Sequence, residues 1–150
     1  MSYQAAAHLH YLTIALLLGL LLAELFHLRP TLEPRQARRL IFIDLAYGLS
    51  AGLVLTTGLI RLIWFGKGLD YYLANGFFYA KMGLFILVSL LSLWPTFTFL
   101  GWRNVLRAGQ GPQLAARQLG LLRLLVLAEL VALGGMIGCA LLMARGYGMF

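Results

Sequence analysis

Four blocks of apolar residues, each longer than about 20, constrain this chain more than anything else in it. They fall at about Ala5–Leu28, Leu40–Phe65, Phe77–Leu100 and Leu119–Ala144. The hydrocarbon core of a bilayer takes about 20 residues of helix to cross, and the core helices of soluble proteins rarely stay apolar for so long. None of the blocks alternates apolar and polar residues at period two, so none reads as a strand of a membrane barrel. A backbone in lipid must satisfy its own N–H and C=O groups, which leaves the helix as the spanning element. The expected fold is all-α, an integral membrane four-helix bundle running up-down-up-down, with residues 1–150 as a single domain. Composition points the same way: 11% of residues are charged, against about 25% in soluble domains.

The first block is expected to stay in the mature chain. It lacks a basic segment ahead of it, and His27-Leu28-Arg29-Pro30 offers none of the small residues a signal cleavage site needs. The lone Cys139 lies inside the fourth block and reads as a small buried hydrophobe. It says nothing about redox compartment.

The formal charge is +7, but its distribution argues against nucleic acid as the partner. Arg29, Arg35, Arg38 and Arg39 fall in the first connection, and Arg103, Arg107 and Arg117 in the third. The second connection and the ends carry fewer basic residues. Basic loops stay in the cytoplasm, so connections one and three are expected inside and both termini outside. The remaining positive charge suits anionic lipid headgroups.

The connections carry their own signals. Pro30 and Pro34 end the first helix in "RPTLEPRQARRL", and "WFGKGLDYYLANGFF" is an aromatic link of the kind that settles among headgroups. Asn75-Gly76 looks like a turn before the third span, and Gly109, Gly111 and Pro112 interrupt the helix before the fourth. Gly48 and Gly52 are four apart, as are Gly134 and Gly138. That spacing lets helix backbones approach closely, first of all within the bundle and second in a homodimer seam.

The ionisable residues inside the spans sort into two layers when depth is counted at about 1.5 Å per residue. Glu24, Asp44 and Arg123 share the cytoplasmic end on three helices, and Glu129 lies nearer the middle. A structural ion-pair cluster of Glu24, Asp44 and Arg123 is the preferred reading of that layer, because opposite charges neutralise one another near the interface. A proton-relay or substrate role for Glu24, Asp44 or Glu129 is the alternative. Glu129 is expected either to be protonated or to meet a partner on another helix.

His10, Arg61 and Lys81 form the outer layer, and they include no carboxylate. Snorkelling to the headgroups accounts for Arg61 or Lys81 taken singly. Three basic groups facing one space would repel, so a bound anionic or electron-rich ligand is the alternative. Haem b is the natural candidate: His10 would be an axial ligand, and Arg61 or Lys67 would meet the propionates. A second histidine is out of reach, because His8, His10 and His27 all lie on the first helix, with His10 and His27 about 25 Å apart. Lys81 is then the leading second ligand, with Met136 or Met82 as thioether options. No phosphate-binding glycine loop, "HExxH" zinc motif or nucleophile triad is present.

The segments "RRLIFIDLAYGLSAGLVLTTGLIRL" and "YYLANGFFYAKMGLFILVSLLSLWPTFTFLGWR" resemble a family of small four-span membrane proteins of bacteria, known as a domain of unknown function. That resemblance covers nearly the whole chain and implies a bacterial inner membrane location. The layout of "HLHYLTIALLLGLLLAELFHL", "RRL" and "FFYAKMGLFILVSLL" is more distantly similar to the four-helix membrane protoporphyrinogen IX oxidase. This second resemblance implies haem, a histidine early in the first helix and a lysine opening the third. His10 and Lys81 match those positions, with His8 as the alternate register. The tryptophan expected before the lysine is replaced by Phe77 or Phe78, and "LSLWPTF" holds no following histidine.

Three functions follow as expectations. One is a b-type haem-binding redox protein, an oxidoreductase if the second resemblance extends to activity, with an electron or porphyrin partner. Another is a non-catalytic accessory or assembly protein. The third is a small-molecule or ion carrier using the buried carboxylates.

Overall fold

The computed structural model describes residues 2–150. Six helices follow one another: α1 Tyr3–His27, α2 Pro34–Ile63, α3 Leu69–Leu73, α4 Gly76–Gly101, α5 Arg103–Arg107 and α6 Ala116–Ala144. The four long ones are each apolar and long enough to cross a membrane. α3 and α5 are single turns within the second and third connections.

Packing follows the chain. α1 lies mainly on α2 and α4 mainly on α6, while α1–α6 and α2–α4 close the ring with lighter contact. α1 and α4 therefore face each other across the bundle rather than side by side. The core along its axis is Leu17, Leu21, Leu40, Tyr47, Val54, Val88, Phe99, Leu122, Val126 and Leu133. The outer faces carry Leu12, Phe42, Leu49, Ile63, Leu90, Phe97 and Val131 to the surroundings. Such a reversal of the soluble pattern suits acyl chains as solvent.

Local chemistry fixes the ends. Ser2 accepts from the Ala5 amide at 3.2 Å and starts α1. α2 begins earlier than its apolar block, because Pro34 occupies the first turn and the Gln36 side chain accepts from the Glu33 amide at 3.1 Å. The basic residues Arg35, Arg38 and Arg39 thus lie on helix rather than in a loop. Asn75 is the cap of α4, its Oδ1 accepting from the Phe77 amide at 3.0 Å, where the sequence suggested a turn. Its Nδ2 donates to the Tyr147 carbonyl at 2.9 Å and ties the C-terminal segment to the same end. α4 runs through Pro95, a residue tolerated in spanning helices because neighbours supply the missing contacts.

The first and third connections are stitched together. The Leu114 amide donates to the Pro30 carbonyl at 2.8 Å, and the Leu32 amide to that of Pro112 at 3.3 Å. A Cβ at Gly111 would strike the Leu32 carbonyl, which is why glycine stands there. Both arginine-rich connections therefore share one end of the bundle, and the aromatic link and both chain ends share the other. This is the up-down-up-down arrangement.

The paired glycines do not serve the bundle as expected. A Cβ placed on Gly48, Gly52, Gly134 or Gly138 meets nothing within 4 Å, so no helix of the bundle approaches these positions. The close approaches are elsewhere, at Gly58 against His10 and at Gly135 against Leu84.

Candidate functional site

At the aromatic end, His10 is 4% exposed on α1, and its ring lies against Gly58 of α2. His10 Nδ1 is 2.8 Å from Thr57 Oγ1. The Thr57 hydroxyl lies 2.8 Å from the Leu53 carbonyl, which can only accept. The Thr13 hydroxyl likewise donates to the His10 carbonyl at 2.8 Å. His10 Nδ1 and the Thr57 hydroxyl form one hydrogen bond, with His10 the donor when the Thr57 proton lies on the Leu53 carbonyl and Thr57 the donor otherwise. His10 Nε2 has no hydrogen-bond partner among the described residues.

Arg61 stands one turn beyond Thr57 on α2. Its guanidinium lies 5.3 Å from the centroid of the Tyr11 ring, and its buried Nε has no hydrogen-bond partner. Lys81, half-buried on α4, is close enough to both that the three groups feel one another's charge, and Cys139 of α6 is the fourth group in that neighbourhood. Cys139 is half-buried rather than enclosed. His10, Arg61 and Lys81 lie on three different helices, α1, α2 and α4.

Two expected members stand elsewhere. His8 is exposed and turned away from the bundle, as its two-residue offset from His10 requires. Lys67 is exposed in the second connection and is spent on local partners, donating to Tyr71 Oη and to the Ala144 carbonyl, each at 3.2 Å. Met136 is buried on α6 and Met82 half-buried on α4.

Toward the arginine-rich end the expected ion-pair cluster takes a different form. Arg123 Nη2 donates to the Leu28 carbonyl at 3.0 Å, closing the unsatisfied end of α1. The carboxyls pair instead with hydroxyls. Thr96 of α4 donates to Asp44 Oδ1 at 2.9 Å, and Tyr47 of α2 donates to Glu129 Oε2 at 2.8 Å. Tyr47 is thus the partner on another helix anticipated for Glu129. Glu24, Asp44 and Glu129 are 1%, 2% and 1% exposed and interact electrostatically with one another. The physical reason for the correction is reach: Arg123 finds its nearest strong acceptor in a bare carbonyl at the helix end, where all such groups lack intrahelical donors.

Beside Tyr47 lies a cavity of about 170 Å³, lined by Leu17, Gly48, Ala51, Phe85, Ser89 and Leu133 among others, at the light seam between α2 and α4. Sequence reasoning passed over Thr57, Gly58, Tyr47 and Thr96. The available signal was period: Thr57 and Arg61 are four apart and share the face of α2 that meets α1.

Fold and site together define a polytopic membrane protein whose helices enclose a basic cluster at one depth and an acidic cluster at another. The chain belongs to the family described as "Predicted membrane protein (DUF2214)", whose family model matches residues 2–148. No curated protein and no solved structure matches the chain.

Proposed function

We propose that this protein binds haem b between the spanning helices at the aromatic end and serves as a membrane redox protein. The observation that carries the reading is His10: buried, hydrogen-bonded at Nδ1 to Thr57, and with no hydrogen-bond partner at Nε2 among the described residues. Metal-ligating histidines are held in this way, with one ring nitrogen fixed by a hydrogen bond and the other left for the metal.

The surrounding residues fit the group on two further counts. Arg61 Nε is buried without a partner, a donor that suits a propionate. Gly58 leaves the imidazole room that any side chain would take, since a Cβ there would stand 3.2 Å from His10 Cε1. His10 and Lys81, the latter through its neutral amine, would hold the iron. Met136 or Met82 would take that place if Lys81 did not. When bound, haem supplies one-electron chemistry at its iron. Thr57 would orient the imidazole through Nδ1, and Arg61 would hold the anionic edge. No residue is assigned a catalytic role.

The location proposed is the bacterial inner membrane, with the arginine-rich end in the cytoplasm and both termini outside. Titration of haem into the detergent-purified protein tests the function. Saturation at one haem per chain is expected for wild type, and loss of binding for His10→Ala. Lys81→Ala should keep the haem and change its spin state. Equal binding by wild type and His10→Ala would refute it.

A further inference from the structure

The acidic cluster has no place in the haem reading, and its hydrogen bonding is incomplete. Glu24 on α1, Asp44 on α2 and Glu129 on α6 are each at least nine-tenths buried. Among them, Glu24 Oε1, Asp44 Oδ2 and Glu129 Oε1 are buried with no hydrogen-bond partner. Among the described residues only Thr96 and Tyr47 donate to the group.

The elements around it bring no countercharge. Arg123 of α6 is turned to the Leu28 carbonyl, Arg38 of α2 lies on the Leu106 carbonyl at 3.4 Å, and His27 of α1 is bonded to the Ala23 carbonyl at 2.7 Å. α4 carries a single charged residue, Lys81, at the opposite end of the bundle. Three bare carboxylates enclosed in an apolar bundle would each carry an uncompensated desolvation penalty of several kcal/mol. Positive charge must therefore enter the cluster. A metal ion would require at least three such ligands to converge, and no group of His, Cys, Asp or Glu among the described residues is arranged to hold one. A proton needs no such convergence, because each carboxyl takes its own and turns an orphan oxygen into a donor.

We propose that Glu24, Asp44 and Glu129 form a proton-exchange site inside the bundle, reached from its arginine-rich end. Glu24 stands one turn from the end of α1 and is the group nearest that surface. Asp44 and Glu129 follow more deeply, and Tyr47 links Glu129 to the wall of the cavity between α2 and α4. Protons arrive one at a time on a carboxylate oxygen and leave by the same bond, so the step balances with water as the other party.

Infrared spectroscopy of the haem-free protein in a detergent free of carbonyl groups tests this independently of the outer site. At neutral pH, wild type should show the carbonyl stretch of protonated carboxyl groups, shifting on transfer to D₂O and fading as pH is raised. E24Q, D44N and E129Q should each lose part of the band, and the triple variant all of it. Wild type alone suffices if a variant fails to fold. Absence of the band in wild type overturns the proposal. So does a band that ignores D₂O, since the site would be sealed, and so does a band that persists in the triple variant.

Discussion

At the scale of residues, short polar side chains decide what the charged ones do. His10, Arg61, Lys81, Glu24, Asp44 and Glu129 were all legible in the sequence, because an ionisable group in an apolar run stands out. Thr57, Thr96 and Tyr47 were not, because hydroxyls inside spanning helices usually bond back to their own backbone, as Thr56 and Ser89 do here. Only the meeting of two helices reveals which hydroxyl turns outward. Two substitutions check these contacts. Tyr47→Phe should destabilise the protein by about 1 kcal/mol, in the range of interhelical hydrogen bonds in membranes, read as a lower midpoint of thermal unfolding in detergent. Gly58→Ala should disturb His10 more than stability. A Cβ at 3.2 Å presses on the ring, and a haem titration should show weaker binding than wild type while the melting midpoint shifts by no more than about 1–3 kcal/mol would give.

At the scale of elements, the apolar runs located all four spanning helices to within a few residues, except at the start of α2. There the sequence shows arginines where the structure shows helix, because a proline and a Gln36 cap start a helix regardless of hydropathy. The arginine expected to neutralise the acids instead closes the end of α1. Depth along a helix is readable from residue number, but the direction in which a long side chain turns depends on the nearest bare acceptor. Arg123→Leu therefore removes one hydrogen bond to Leu28 and should cost only about 1–2 kcal/mol. A larger loss of thermal stability would restore the ion-pair reading. Gly111→Ala should be the more damaging change, since the Leu32 carbonyl blocks a Cβ and the stitch between connections one and three must open.

At the scale of the whole molecule, the bundle places His10, Arg61 and Lys81 toward its aromatic end and the buried acids toward its arginine-rich end, with Leu17, Leu21, Val54, Val88 and Leu133 between them. The up-down-up-down topology was readable from four spanning-length apolar blocks joined by short connections. The pairing of helices was not, since all four are apolar on every side and the small-residue spacing pointed to the wrong glycines. With Cys139 replaced by alanine, single cysteines at Ser2 and Gln110 should label from opposite sides of the membrane, Ser2 from outside. Labelling of both from one side would contradict the arrangement of connections.

Haem binding in this protein requires that His10 present Nε2 to the iron. The visible absorption spectrum of the protein, purified in detergent from haem-supplemented cells, tests it most directly. A Soret band in wild type that is lost in His10→Ala is the predicted result. A colourless wild type, or a band of equal strength in both proteins, would contradict it.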